Sequence, residues 1–312
     1  MSALVEARGL TKRFGALTAV DDIDLEVAAG EAFGFLGPNG AGKTSVMRMI
    51  GATSPITEGY LRVLGLDPEA DGVRLRSRLG VVPQDDALDQ ELTVADNLFV
   101  FGRYFDLPKD VLRERIDELL DFVQLGERRN AKVDPLSGGM KRRLVIARAL
   151  INDPEMVLLD EPTTGLDPQA RHALWDRLYQ LKRRGVTLLL TTHYMDEAEQ
   201  LCDRLVVMDQ ARIVAQGSPQ QLIETHVSRE VLELRFADGY QQQAHRQLEG
   251  EIGDGPVERI ESLPDRLLVY TPDGDAAVRL VYDRGLEPLT LLTRRASLED
   301  VFLRLTGRQL ID

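Results

Sequence analysis

Residues Gly37-Pro38-Asn39-Gly40-Ala41-Gly42-Lys43-Thr44 follow the pattern G-x-x-x-x-G-K-[ST]. Glycines let a backbone wrap closely around an oxyanion, so that successive N–H groups point inward. Glu31 to Leu36 reads as a short buried strand entering this loop, and Thr44 to Ile50 as a helix leaving it. The helix N-terminus adds its partial positive charge to the cradle. The chemistry is phosphate binding: Lys43 is placed to reach β- and γ-phosphates, and the Thr44 hydroxyl to ligate Mg²⁺. A second feature is Met156-Val157-Leu158-Leu159-Asp160-Glu161, an apolar run closed by two acids. A buried parallel strand carries such carboxylates at its C-terminal edge, where α/β sheets bind ligands. Asp160 is expected to hold Mg²⁺, through water, and Glu161 to polarise an attacking water. Ser137, Gly138 and Gly139, in Leu136 to Met140, open a helix and form a second anion site.

Two phosphate-binding helix ends in one chain, in this order, resemble the ATP-binding cassette (ABC) ATPases. Leu136 to Met140 is similar to their signature motif, with Met where Gln is usual. Gln84, in Val81-Val82-Pro83-Gln84, matches the Q-loop; Gly165-Leu166-Asp167-Pro168 matches the D-loop; His193, after Leu190-Thr191-Thr192, matches the switch histidine. Phe14 stands where the family stacks an aromatic on adenine, usually Tyr. The resemblance covers about residues 4–225. It implies ATP and Mg²⁺ as ligands, bound by Phe14, Gly37 through Ser45 (with Pro38, Asn39, Gly40, Ala41, Gly42, Lys43 and Thr44), Gln84 and Asp160 of one cassette. Thr44, Gln84 and Asp160 are the implied metal ligands, and Glu161 and His193 the catalytic pair. His193 is implied to bond the γ-phosphate and orient the water. Ser137, Gly138, Gly139 and Asp167 are implied to act across a head-to-tail pair of cassettes, either a homodimer or a pairing with a paralogue.

The runs Leu98 to Phe105, Leu136 to Leu144, Asn152-Asp153-Pro154 and Ser297 to Arg308 narrow the resemblance. They are similar to nodulation-factor (lipo-oligosaccharide) export ATPases and, more loosely, to daunorubicin-resistance export ATPases. That branch implies an ABC-2 type exporter whose integral membrane permease is a separate chain. It also implies a peripheral location at the cytoplasmic face of the inner membrane. Lipo-oligosaccharide, polyketide drug, polysaccharide and lipid all stay open as substrates.

Composition bounds the alternatives. The chain has 312 residues, enough for one large domain or two unequal ones, and 43% of them are apolar. Fifty-one acids against thirty-eight bases give a net charge of −13, which argues against nucleic acid held by a broad basic surface. The single cysteine, Cys202, excludes an internal disulfide and is expected to pack in a helix over Asp196 to Arg204. No apolar run reaches the roughly 18 residues of a membrane span, and Met1 to Glu6 lacks the pattern of a signal peptide. A ribosome-acting relative would carry two cassettes and a charged linker, and a chromosome ATPase a long coiled coil; neither pattern is present. A nucleotide-sensing subunit with little turnover, or an importer ATPase, is disfavoured by Glu161, His193 and the C-terminal resemblance.

The expected fold class is α/β. Residues 1–225 are expected to form a P-loop cassette with an antiparallel edge sheet (Leu4 to Gly9, Asp22 to Val27), a helical subdomain at about 85–150 and a mostly parallel sheet. In the helical part, Asp110 to Leu125 carries Leu112, Ile116, Leu119 and Val123 on one face. Trp175 to Arg184 reads as the helix between two strands, and Lys141-Arg142-Arg143 as a solvated helix face in preference to a phosphate clamp. Leu98, Phe99, Phe101, Tyr104 and Phe105 are either subdomain core or a docking surface for the permease. Residues 226–312 read as β-α-β-β-α-β, a small ferredoxin-like accessory domain. Its last helix opens at Ser297-x-x-Asp300 and presents Leu298, Val301, Phe302 and Leu305, for its own sheet or for a dimer or regulatory contact.

Overall fold

A computed structural model describes residues 3–237, 239–253 and 255–307. Arg308, the last residue of one resembling run, lies outside them. The chain begins with two long strands, β1 (Ala3–Phe14) and β2 (Leu17–Ala28), followed by β3 (Ala32–Leu36) and helix α1 (Lys43–Ile50). Then come β4 (Glu58–Val63), α2 (Gly72–Arg76), β5 (Leu79–Val82), α3 (Val94–Arg103), α4 (Lys109–Phe122) and α5 (Gly138–Ala149). The cassette continues through β6 (Met156–Asp160), α6 (Pro168–Arg183), β7 (Thr187–Thr192), α7 (Met195–Leu201), β8 (Arg204–Asp209) and β9 (Arg212–Gly217).

Six strands form one sheet in the order β5-β6-β7-β3-β8-β9. All neighbours in it are parallel except β8 and β9. β3 and β7 are buried along their whole length, which is why neither alternates apolar with polar residues. β1 lies between β2 and β4 in a separate antiparallel sheet. β1 and β2 run longer than their alternation suggests, because bulges between Ala7, Leu10 and Lys12 let the ladder continue past the break in pattern. Leu10, Ile23 and Leu25 from this sheet meet Phe33, Phe35, Val46 and Met49, so α1 is embedded in the core between the two sheets.

The helical subdomain has its own core. Leu98 of α3, Leu112, Ile116 and Leu120 of α4, and Leu144 and Ala147 of α5 pack together. Leu120 takes the fully buried place expected for Leu119, which is only partly covered. α3 and α4 cross closely at Gly102, where an added Cβ would lie 2.2 Å from Leu112 Cδ2. Thr93 caps α3 by accepting from Asp96 N at 3.1 Å.

The C-terminal unit holds α8 (Pro219–His226), β10 (Glu230–Arg235), α9 (Gln241–Glu249), β11 (Arg259–Ser262), β12 (Leu267–Thr271), α10 (Gly274–Asp283), β13 (Thr290–Arg295) and α11 (Leu298–Thr306). α8 packs on α11, and the contacts divide the chain between Ser218 and Pro219, so the helix just before residue 226 goes with this unit. Its antiparallel strands follow the order β11-β12-β10-β13. α9 and α10 cover one sheet face through Ala244, Leu248, Ala277 and Val281. α11 faces the unit's own sheet: Leu303 packs with Val231, Leu268 and Tyr270, and Leu298, Val301 and Phe302 are buried. Ser297 and Asp300 form a reciprocal capping box, with the shorter acid doing what Glu usually does.

Candidate functional site

The sheet order decides which loops meet. β5, β6, β7 and β3 are consecutive neighbours and parallel, so the segments leaving their C-terminal ends lie in a row. Those segments carry, in turn, Gln84, Asp160 with Glu161, His193, and the phosphate-type loop.

The loop from Gly37 to Lys43 is shaped by close backbone approaches. An added Cβ at Gly37 would lie 2.3 Å from the Met208 carbonyl oxygen, and one at Gly42, where φ is +105°, would lie 2.2 Å from that of Ala19. No side chain fits there, and the loop closes into a cradle. Lys43 is buried inside it. Its Nζ donates to Gly37 O at 2.6 Å and Pro38 O at 3.1 Å, and lies 3.8 Å from Glu161 Oε1. Burial pulls its ammonium below the ordinary value, against the carboxylates of Glu161 and Asp160, which favour the charge.

Asp160 accepts from Thr44 Oγ1 at 3.2 Å and from Thr191 Oγ1 at 2.6 Å. Glu161 follows in a left-handed conformation, φ +46°, an uncommon backbone for a residue with a side chain. Its N–H donates to Thr191, 3.0 Å from the hydroxyl and 3.2 Å from the carbonyl oxygen. Its carboxylate lies 3.3 Å from His193 Nδ1 and accepts from Thr164 Oγ1 at 3.3 Å and Gln84 Nε2 at 3.4 Å. The His193 contact, aided by Lys43 and Thr164, holds this carboxyl below the ordinary range despite its burial. It therefore stays ionised, as a base must.

A cavity of about 420 Å³ is lined by Phe14, Leu17, Thr18, Pro38 to Ser45, Gln84 and Glu161, with half-exposed Phe14 at one wall. A larger open hollow of about 820 Å³ involves residues 52–55, 68–74, 76 and 77, none of them a candidate for chemistry. The cradle, its buried lysine and an aromatic wall fit a nucleotide. Thr44, Asp160 and Gln84 supply oxygen ligands suited to a hard cation. Among the described residues there is no group of three or more His, Cys, Asp or Glu placed to hold a metal ion.

Ser137, Gly138, Gly139 and Asp167 are not part of this cavity. Ser137 caps α5, accepting from Met140 N at 3.3 Å, and Asp167 caps α6, accepting from Ala170 N at 2.9 Å. The two caps are exposed, and the helix starts are adjacent: a Cβ on Gly139 would lie 3.0 Å from Ala170 Cβ. α6 begins at Pro168, a turn or more before the expected Trp175, because Asp167-Pro168 supplies an N-cap followed by proline in the first turn.

Three side chains were not singled out by the motifs. Thr191 orders both Asp160 and Glu161; the polar residues ending an apolar strand were its only signal. Thr164 touches the Glu161 carboxylate. Arg142, expected on a solvated face, is buried with 4% exposure and bonds to backbone carbonyls near the site. The expected helix over Asp196 to Arg204 ends at Leu201, and Cys202 is extended. Cys202 is nevertheless buried, its Sγ lying over Gly34, where an added Cβ would sit 2.5 Å away.

Comparison with known proteins gives the following. A family model described as ABC transporter matches residues 20–164, and one described as nodulation factor export protein NodI, C-terminal domain, matches residues 242–307. The Nod factor export ATP-binding protein I of Mesorhizobium japonicum is 48% identical over 307 residues, covering 98% of this chain and 87% of that protein. That of Cupriavidus metallidurans is 44% identical over 313 residues, covering 100% of both. Among solved structures, cbiO1 from Clostridium perfringens, part of the ABC transporter complex cbiONQ, is 26% identical with a TM-score of 0.67, over 72% of this chain and 92% of that one. An ATP-binding cassette solved as a dimer in a post-hydrolysis state with ADP and Pi is 27% identical with a TM-score of 0.63, over 69% and 98%.

Proposed function

The chain belongs to the ABC transporter ATPases, in the family of the Nod factor export ATP-binding proteins, and from that premise we propose how its residues energise export. It is an ATPase subunit, and cassettes of this family dimerise and work with membrane permease subunits. The single observation that carries the residue assignment is the row of strand ends β5-β6-β7-β3, with Gln84, His193 and buried Lys43 converging on Glu161.

Phe14 stacks on the adenine, and the N–H groups of the loop from Gly37 to Ser45 wrap the phosphates. Lys43 leaves its loop carbonyls for the β- and γ-phosphates. Thr44, Asp160 and Gln84 would hold Mg²⁺, which would neutralise charge on the phosphate oxygens. Glu161 accepts a hydrogen bond from the attacking water and so polarises it, and His193 fixes the direction of that carboxylate. Ser137, Gly138 and Gly139 of a second cassette cap the γ-phosphate and exclude water, while Asp167 approaches the opposing loop. ATP closes the pair and hydrolysis reopens it.

The partner is an ABC-2 type permease, and the chain sits peripherally on the cytoplasmic face of the membrane. Among the described residues no helix is long and apolar enough to cross one. An apolar groove of about 480 Å³ lined by Val73, Val81, Phe101, Tyr104 and Phe105 supports this docking. The exported substrate is a lipo-oligosaccharide or a similar amphipathic molecule, a reading supported by full-length similarity to Nod factor exporters.

The test is affinity purification of tagged Glu161→Gln chain from detergent-solubilised cells with ATP and Mg²⁺. The variant is expected to bind ATP normally, to lose at least about 100-fold in kcat, and to accumulate as an ATP-bound dimer with a polytopic membrane protein. Near-normal hydrolysis would remove Glu161 from its role. Recovery of ribosomal proteins, or of the dimer alone, would remove the exporter reading.

A further inference from the structure

A guanidinium carries five N–H donors in a planar fork. In Arg142 all five have acceptors, and every acceptor is a backbone carbonyl. Nε donates to Pro162 O at 2.7 Å. Nη1 donates to Pro83 O at 2.6 Å and Gln84 O at 3.2 Å. Nη2 donates to Asp160 O at 3.2 Å and Glu161 O at 3.1 Å. The nearest carboxylate oxygen is that of Asp86, at 3.7 Å. Burying a charge this way is costly unless each donor is met, and here each is.

The five carbonyls come from two separate segments, the exits of β5 and β6. The fork comes from a third element, α5, little more than one turn past Ser137. One side chain thus fastens the start of α5 to the backbone of Gln84 and to the backbone of Glu161. Glu161 needs such fastening, because its positive φ is not a conformation it would hold unaided. Its N–H is held by Thr191 and its C=O by Arg142, so the peptide units on both sides of the carboxylate are fixed. Arg148, on the same helix, donates to Ala87 O at 2.5 Å and Asp86 O at 3.3 Å, and neither bond reaches residues 160–162.

We propose that Arg142 is a positioning residue that sets the Glu161 carboxylate and links it to the N-terminus of α5 in the same chain. α5 presents Ser137 to the ATP of the other cassette. A phosphate engaged there pulls on α5, and the rigid fork passes the displacement to Glu161 and Gln84, which serve the chain's own ATP. Each cassette thereby senses occupancy of the opposite site before its own water is activated. This rests on the reading of Glu161 as the water-polarising carboxylate.

The experiment uses the full chain with R142Q, R142K, R148Q, E161Q and R142Q/E161Q, measuring ATP affinity by direct nucleotide titration, kcat and KM, and thermal midpoint. R142Q is expected to lower kcat more than tenfold while ATP affinity stays within twofold. R142K keeps the charge but has three donors and no fork, so it should recover less than a third of the wild-type kcat. In the E161Q background R142Q should change single-turnover hydrolysis by less than twofold, since it acts through Glu161. R148Q should cost less in kcat than R142Q. Equal R142Q losses in both backgrounds, a fall in ATP affinity matching that in kcat, or full recovery with Lys would each overturn the proposal. If R142Q does not fold, R142K and R142K/E161Q carry the same comparison. Failure of the Glu161 reading shows separately, as near-normal hydrolysis by E161Q alone.

Discussion

Glu161 meets Lys43, Gln84, Thr164 and His193 within 3.8 Å, and its protonation is set chiefly by His193. Without that imidazole the Glu161 carboxyl moves up toward its ordinary range. His193→Ala should therefore lower kcat by about tenfold or more and shift the acid limb of the remaining activity to higher pH. A pH–rate profile of the variant checks this, and an acid limb left in place would show that His193 does not tune Glu161. The same sign governs stability. A carboxyl depressed in the folded state contributes stability above its unfolded pKa and loses it as pH falls through the folded value. Lys43, Asp160, Glu161 and His193 were legible in the sequence because phosphate chemistry admits few residue types at each place. Arg142 was not, because an arginine's burial depends on carbonyls supplied by segments distant in the chain, and a run of three basic residues on a helix ordinarily faces water.

At the scale of elements, helix α3 answers the question raised by its aromatic cluster by dividing it. Leu98 is fully buried, Phe99, Phe101 and Phe105 pack partly against the subdomain core, and Tyr104 is 78% exposed. Leu98→Ala should cost about 2–5 kcal/mol of stability, seen as a lowered denaturation midpoint. Tyr104→Asp should shift stability by less than about 0.5 kcal/mol, leave basal ATPase intact and sharply reduce transport in vesicles carrying the permease. Loss of stability and ATPase together in Tyr104→Asp would make that residue core. Helical periodicity exposed α4 and an apolar run ended by acids exposed β6, but neither signal divided the cluster at the end of α3, since a half-apolar helix end has the same pattern whether a subdomain or a partner covers it. In the C-terminal unit the start of α11 was readable from its capping pattern, Ser297 with Asp300, whereas the Asp273 cap of α10, which accepts from Ala276 N, was not singled out.

The order of strands in the large sheet was the least legible feature of the whole molecule. β3 pairs with β7 and β8, whose residues lie far along the chain, and no local signal announces those partners. Once paired, they bring the loop from Gly37 to Ser45 together with Glu161 and His193 and leave the helix start at Ser137 to Gly139 exposed beside the Asp167 cap. On the proposed reading, one chain carries two halves of different sites. If the halves join head to tail, defects in opposite halves should complement. Ser137→Arg blocks the signature half and Lys43→Ala the cradle half, so either variant alone should be nearly inactive. In a mixed pair, the cradle of the Ser137→Arg chain faces the intact signature of the Lys43→Ala chain, making one whole site. Co-expression in equal amounts with the permease should restore at most about a quarter of the wild-type ATPase rate, since half the pairs are mixed and each has one of two sites. A mixture no more active than either variant would mean that each chain hydrolyses ATP without the other's signature helix, and the exposed caps would then require another partner.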